Sequence, residues 1–205
     1  MKPKNDFYLY TDKIISYLNK QFIRLFGNLK STIPIDELNV LQSVKELYLK
    51  SYQLVQEMLY KLSVIAYDNA PLENFTVSKP PELEWVLLFF DRYDPITKYV
   101  FSAEVERKSA RCYESLIAST TKPKEVDTAL RYWSAMVNQY AIEITDEAVL
   151  KAYRDNGIKR VEWITIEDDK VCKICAERDG KIYDIDNIPP KPHIGCRCYL
   201  LPVEE

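Results

Sequence analysis

Four of the five cysteines and the only histidine of this chain fall between positions 172 and 198, as Cys172-x2-Cys175 followed by His193-x2-Cys196-x-Cys198. Thiolate sulfur and imidazole nitrogen are ligands that zinc takes four at a time in a tetrahedron, and a C-x2-C pair at a bend supplies two of them. Between the two groups lies Asp179-Gly180, the strongest hairpin signal in the sequence, which returns the second group to the first. The expected ligands are Cys172, Cys175, His193 and one of Cys196 or Cys198. On an extended strand the last two sulfurs would lie about 7 Å apart on one face, so holding one ion with both requires a bend. Four ligands close the shell, which makes this one structural Zn2+ with no open position for a substrate. The competing reading is reduced, buried or disulfide-bonded cysteines. A catalytic Cys/His pair lacks an orienting carboxylate or Asn at a diagnostic spacing, so no catalytic and no cofactor-binding residues are expected. Cys112, between Arg111 and Tyr113 on an expected helix, reads as a packing residue.

A small tail buries little apolar surface, so bound metal would supply much of its folding free energy. The elements before it read as helices. Ile14, Leu18, Phe22 and Phe26 recur every four residues over 12–29, with Thr11 as N-cap and Gly27 near the end. After Pro34 a longer helix is expected over 36–67, with Leu41, Leu47, Met58 and Leu62 among its apolar stripe. At roughly 50 Å it needs a partner helix, from an antiparallel hairpin within the chain or from a docking or oligomer surface. Residues 69–81, with Pro71, Pro80 and Pro81, read as a linker, and Asp94-Pro95 as a turn. Helices are expected over 97–118, 124–140 and 146–156, the last capped by Thr145 and stopped by Asn156-Gly157. Glu104 can pair with Lys108 on the first of these. Beyond Gly157 the texture turns to strands, at 161–166, 181–183 and 198–201, with Glu167-Asp168-Asp169 as a turn. The fold class is therefore α+β, mainly α-helical with a small C-terminal β-hairpin zinc-binding subdomain. The expected division is 1–80, long helices and linker, and 81–205, split into a helical part to 157 and a zinc-binding β part from 158.

Composition narrows the function. The 205 residues are 47% apolar and 12% aromatic, which excludes a disordered polymer. Only four glycines occur, and no Gly-rich phosphate loop among them. The net charge of −3 argues against a nucleic-acid coat, and residues 155–205 hold eight basic against eleven acidic side chains. The longest apolar run, Trp85 to Phe90, is far short of the roughly 20 residues that span a bilayer. No secretory signal is read at the N-terminus, so a cytosolic chain with reduced thiols is expected.

The strings V-E-W-I-T (161–165), V-C-K-I-C (171–175), D-G-K-I-Y (179–183) and P-K-P-H-I-G-C-R-C-Y-L (190–200), with Asp169, resemble the phage head morphogenesis domain of the phage Mu protein F type. Y-D-P-I-T-K-Y-V-F (93–101), E-V-E-R-K (104–108) and D-E-A-V-L-K-A-Y-R-D-N-G-I-K (146–159) extend the likeness, which covers about 82–205. The resemblance implies a minor capsid protein, present in few copies, assembled in the bacterial host cytoplasm and placed at the portal vertex or capsid interior of the virion. It acts in head assembly, with a bearing on DNA packaging or ejection and no assigned catalytic activity. The implied partners are the portal protein and other head proteins, with weak contact to genomic DNA, no membrane, and an oligomer through the N-terminal helices as a further option. The alternative is a zinc-knuckle nucleic-acid-binding protein acting on the phage genome.

Overall fold

The structure, a computed structural model, describes residues 7–32, 37–73, 79–166 and 171–203. The linker residues 74–78, and the Glu167-Asp168-Asp169 turn read from the sequence, lie outside the described residues. Two long helices open the fold, α1 (Leu9–Thr32) and α2 (Glu37–Asp68), followed by the short α3 (Leu83–Asp91). A two-stranded hairpin, β1 (Tyr93–Asp94) and β2 (Tyr99–Val100), leads into α4 (Phe101–Ala118) and the 34-residue α5 (Lys122–Asp155). The tail contains β3 (Arg160–Ile164), α6 (Lys173–Arg178), β4 (Ile182–Asp184) and β5 (Tyr199–Pro202). Its strands form one antiparallel sheet in the order β4-β3-β5, with Val161 opposite Tyr183 and Trp163 opposite Leu200. Mainly helical with a small C-terminal sheet, the fold is of the class expected.

The helical stripes are covered within the chain. Leu18, Phe22 and Phe26 of α1 are fully buried, as are Val40, Val44, Val55, Leu59 and Leu62 of α2. They meet α4 and α5 around an aromatic centre. Trp133 lies edge-on to Tyr48 at 5.2 Å and to Phe22 at 6.2 Å, and stacks with Phe101 at 6.1 Å. Phe101 also meets Tyr140 at 4.4 Å and Phe90 at 4.9 Å. Thus the stripe that could have been left for docking or oligomerisation is used inside the molecule: Leu47 is buried and Met58 packs on the core.

The structure corrects three local readings. Residues 122–155 form one helix rather than two, because nothing between 140 and 146 breaks it. Ala141, Ile142, Glu143, Ile144 and Thr145 are all buried, and packing overrides the poor helix propensity of the β-branched members. Thr145 is therefore no cap; its hydroxyl bonds the Ala141 carbonyl at 2.8 Å and shares a 2.7 Å bond with Thr11. Thr11 in turn lies inside α1, which begins at Leu9. Glu104, only 3% exposed, pairs with Arg107 rather than Lys108. Two punctuation signals hold. Gly157, at φ +78°, ends α5, and the Asp94 carboxylate accepts the N–H groups of Ile96 and Thr97, fixing the β1–β2 turn.

Phe101 is the central test of this packing. Phe101→Ala removes a fully buried ring contacting four other aromatic residues, and urea unfolding should show a loss of about 3–5 kcal/mol.

Candidate metal centre

The C-x2-C pair is not at a hairpin bend. It opens α6, with Cys172 as N-cap and the Cys175 N–H donating to the Cys172 Sγ at 3.3 Å. One helical turn thus points both sulfurs to the same side. Asp179-Gly180 then reverses the chain into β4, with Gly180 at φ +72° and its N–H on the Trp163 carbonyl. The second group rides a loop rather than a strand. Gly195, at φ +73°, makes the bend, and the Cys196 N–H donates to the His193 carbonyl at 3.3 Å. Cys196 and Cys198 both precede β5, which begins at Tyr199, so they are not held at the spacing of a regular strand.

All five side chains named from the sequence converge. Cys172, Cys175 and His193 form one group, and Cys175, Cys196 and Cys198 another, with ligand atoms within 4.8 Å of one another in each. Cys175 belongs to both. Its Sγ is 3.7 Å from His193 Nε2 and 3.6 Å from Cys196 Sγ. Tetrahedral zinc, at about 2.3 Å from sulfur and about 2.0 Å from nitrogen, sets its ligands roughly 3.5–3.8 Å apart, and both Cys175 distances fall in that range. All four cysteines here are free thiols. His193 turns Nδ1 toward the Ile194 carbonyl at 3.1 Å, which leaves Nε2 for a metal.

The electrostatics point the same way. The backbone N–H of Cys175 lowers the Cys172 thiol below its ordinary value. Burial, followed by the neighbouring Cys172, pushes Cys175 up to about 12. Cys198 is raised, chiefly by its hydrogen bond with Cys196, while Cys196 is lowered to about 5 by the same partner. Four sulfurs this close cannot all ionise by themselves, whereas a divalent cation would favour every thiolate at once. The buried cluster could hold a metal ion.

Sequence reasoning missed what seats this loop on the helical body. The Gly195 N–H donates to Gln139 Oε1 of α5 at 2.6 Å. The Tyr8 hydroxyl bonds Asp146 at 2.6 Å and the Cys198 carbonyl at 3.1 Å. Lys191 pairs with the same Asp146 and donates to the Cys196 carbonyl, while Arg197 forks onto Asp12 of α1. Gln139 uses its other end too, donating from Nε2 to Glu143 at 2.6 Å.

Glu143 is 8% exposed and has no ion pair among the described residues. Burial, reinforced by Asp94 and Asp146, raises its carboxyl to about 7. The folded state therefore holds this proton more tightly than the unfolded chain does. Its stabilising effect is complete below the ordinary carboxylate value, fades as pH rises toward 7, and is gone above. The shift corresponds to at most about 3 kcal/mol. Glu143→Gln keeps the shape and the bond from Gln139, so it should raise stability at pH 8 by about 1–3 kcal/mol and have little effect at pH 4. Urea melts of the two proteins across that range, compared at each pH, measure it.

Comparison with known proteins places this architecture. The family model described as Phage Mu protein F like protein matches residues 108–201, spanning α4 from Lys108, all of α5 and the tail through Leu201. No curated protein and no solved structure matches the chain. No helix among the described residues is long and apolar enough to cross a membrane. From residue 108 to 201, then, the stretch that holds the cluster and the helix that seats it is similar to the Phage Mu protein F-like family, a family of phage head morphogenesis proteins.

Proposed function

We propose that this chain is a minor head protein that acts in phage head assembly at the portal vertex and capsid interior, with its C-terminal end a non-catalytic module cross-linked by one structural Zn2+. The family match over 108–201 carries this reading. Portal and other head proteins are its partners, and DNA packaging or ejection is the process it serves. In this reading residues 1–80 and 81–205 are its two working units, the second ending in the zinc-bearing part. The acidic balance of residues 155–205 favours protein partners over the genome as the tail's contact, since phosphate is repelled there.

Within the cluster, the proposed ligands are Cys172, Cys175, His193 and Cys196. Cys196 is favoured over Cys198 because it shares the Gly195 bend with His193 and sits 3.6 Å from the Cys175 Sγ. Cys198 remains beside the site as a hydrogen-bonding neighbour. Zinc, when bound, ties α6 to the loop before β5, two segments joined otherwise by a short sheet. A closed four-ligand shell gives such an ion a holding role.

Elemental analysis of the purified protein tests the assignment. One zinc per chain is expected, retained in Cys198→Ser and lost in Cys172→Ser and Cys196→Ser, with the last two melting at lower temperature. A parent protein that carries no zinc after refolding with the metal removes the cross-link. Retention in Cys196→Ser with loss in Cys198→Ser exchanges the fourth ligand.

A further inference from the structure

A cavity of about 320 Å³ opens between α4 and α5 in the helical body and shares no residue with the cysteine cluster. Its floor is made by Tyr48 and Cys112, both buried, and its rim by Arg111, Ser115 and Tyr132, all exposed. The volume is at the small end of the roughly 300–1,000 Å³ of small-molecule sites. Burial pushes the Cys112 thiol up to about 12 and raises the Tyr48 phenol as well, so the floor is neutral.

The charged side chains lining the cavity are Lys108, Arg111 and Glu125. Because α4 and α5 run antiparallel, the carboxylate is set apart from the cations. At one end Lys108 lies over the Tyr132 ring, 5.5 Å from its centroid. At the other, beside the turn between the helices, the Ser119 hydroxyl donates to Glu125 at 3.3 Å. Glu125 and Tyr132 are about two turns of α5 apart, roughly 10 Å.

The basic end holds more positive charge than the chain itself uses. Arg107 forks onto Glu104, but Lys108 and Arg111 have no ion pair or hydrogen bond among the described residues. Burial lowers the Lys108 ammonium; Glu104 opposes that shift, and the guanidinium groups of Arg107 and Arg111 add to it. Three cations thus share one carboxylate, a surplus of two charges. Ser115 and Thr128 add hydroxyls to the lining.

That surplus, next to a neutral floor, selects the ligand. A carboxylate brings one charge and two oxygens. A phosphate monoester brings a charge of about −1.5 to −2 near pH 7 and three acceptor oxygens, which a guanidinium fork and an ammonium match. Inorganic phosphate would leave the Tyr132 ring and most of the volume unused. A nucleic-acid strand carries singly charged diesters in series, and a short cavity with Glu125 at one end offers no track for them. We propose that this cavity binds a small phosphate monoester, its phosphate on Lys108 and Arg111 and its organic body against Tyr132 and Ala129.

Titration of the 15N-labelled full-length protein with phenyl phosphate near neutral pH tests it. Backbone N–H signals of residues 111–115 and 128–132 should shift. Lys108→Gln and Arg111→Gln, each shown to be folded by its melting curve, should weaken Kd about tenfold or more. Inorganic phosphate, benzoate and phenol should each bind more weakly than phenyl phosphate, and Glu125→Gln should not weaken binding. Absence of shifts, equal affinity for benzoate or inorganic phosphate, or parent-like affinity in both cation variants would each overturn the proposal. So would tighter binding of a 5′-phosphorylated oligonucleotide, which would assign this face to nucleic acid.

Discussion

Four thiols and an imidazole crowded within a few ångströms, with no disulfide between them, form the constraint on which the tail depends. Groups of this kind repel one another when ionised and resist burial when they do. A protein that brings them together must hold the backbone firmly enough to keep them there. Here the holding is done by a short helix on one side and a glycine-bent loop on the other, both anchored elsewhere. Trp163 packs against Cys175, Cys196 and Cys198, so the sheet's central strand forms the apolar floor of the cluster. The small apolar area of that cluster is consistent with a module whose rigidity comes from a cross-link more than from a core.

The second determinant is the unbroken length of α5. Gln139 seats Gly195, and Asp146, about two turns on, seats Lys191 and Tyr8. Both anchors fall on one helix, so their spacing is fixed by helical geometry. Had the chain broken at Thr145, the two would be joined by a turn and free to move apart. The same helix buries Trp133 and Val137 in the aromatic core. One continuous helix therefore joins the helical core to the loop that carries His193, Cys196 and Cys198.

Much of this was legible from sequence because local rules govern it. The i, i+4 spacing of Leu18, Phe22 and Phe26 marked α1, and the apolar stripe that includes Leu41, Leu47, Met58 and Leu62 placed α2 within a residue of its observed ends. Asn156-Gly157 and Asp179-Gly180 marked chain reversals by backbone chemistry alone. The five clustered side chains were legible for the same reason, since ligand chemistry is written in residue type and spacing. What stayed hidden depends on contacts across the chain. Thr145 looked like a cap because a cap and a buried mid-helix threonine have the same residue type; only Thr11, 134 positions away, distinguishes them. Gln139, Tyr8 and Asp146 gave no signal, because a polar residue that seats a distant loop resembles any other.

The contacts of Tyr8 carry a mechanical consequence. Its hydroxyl reaches a carbonyl 190 residues later in the chain, at Cys198, and its ring lies under both Lys191 and Arg197. Arg197 also clasps Asp12 one turn into α1. The first turn of α1 and the ligand loop therefore share one network, with Asp146 of α5 at its centre. A network of this kind has a fully satisfied state when the loop is in place and leaves a buried carboxylate, a phenol and an ammonium unpaired when it is not. Whatever orders the loop therefore also favours the seating of α1 against α5, by linkage.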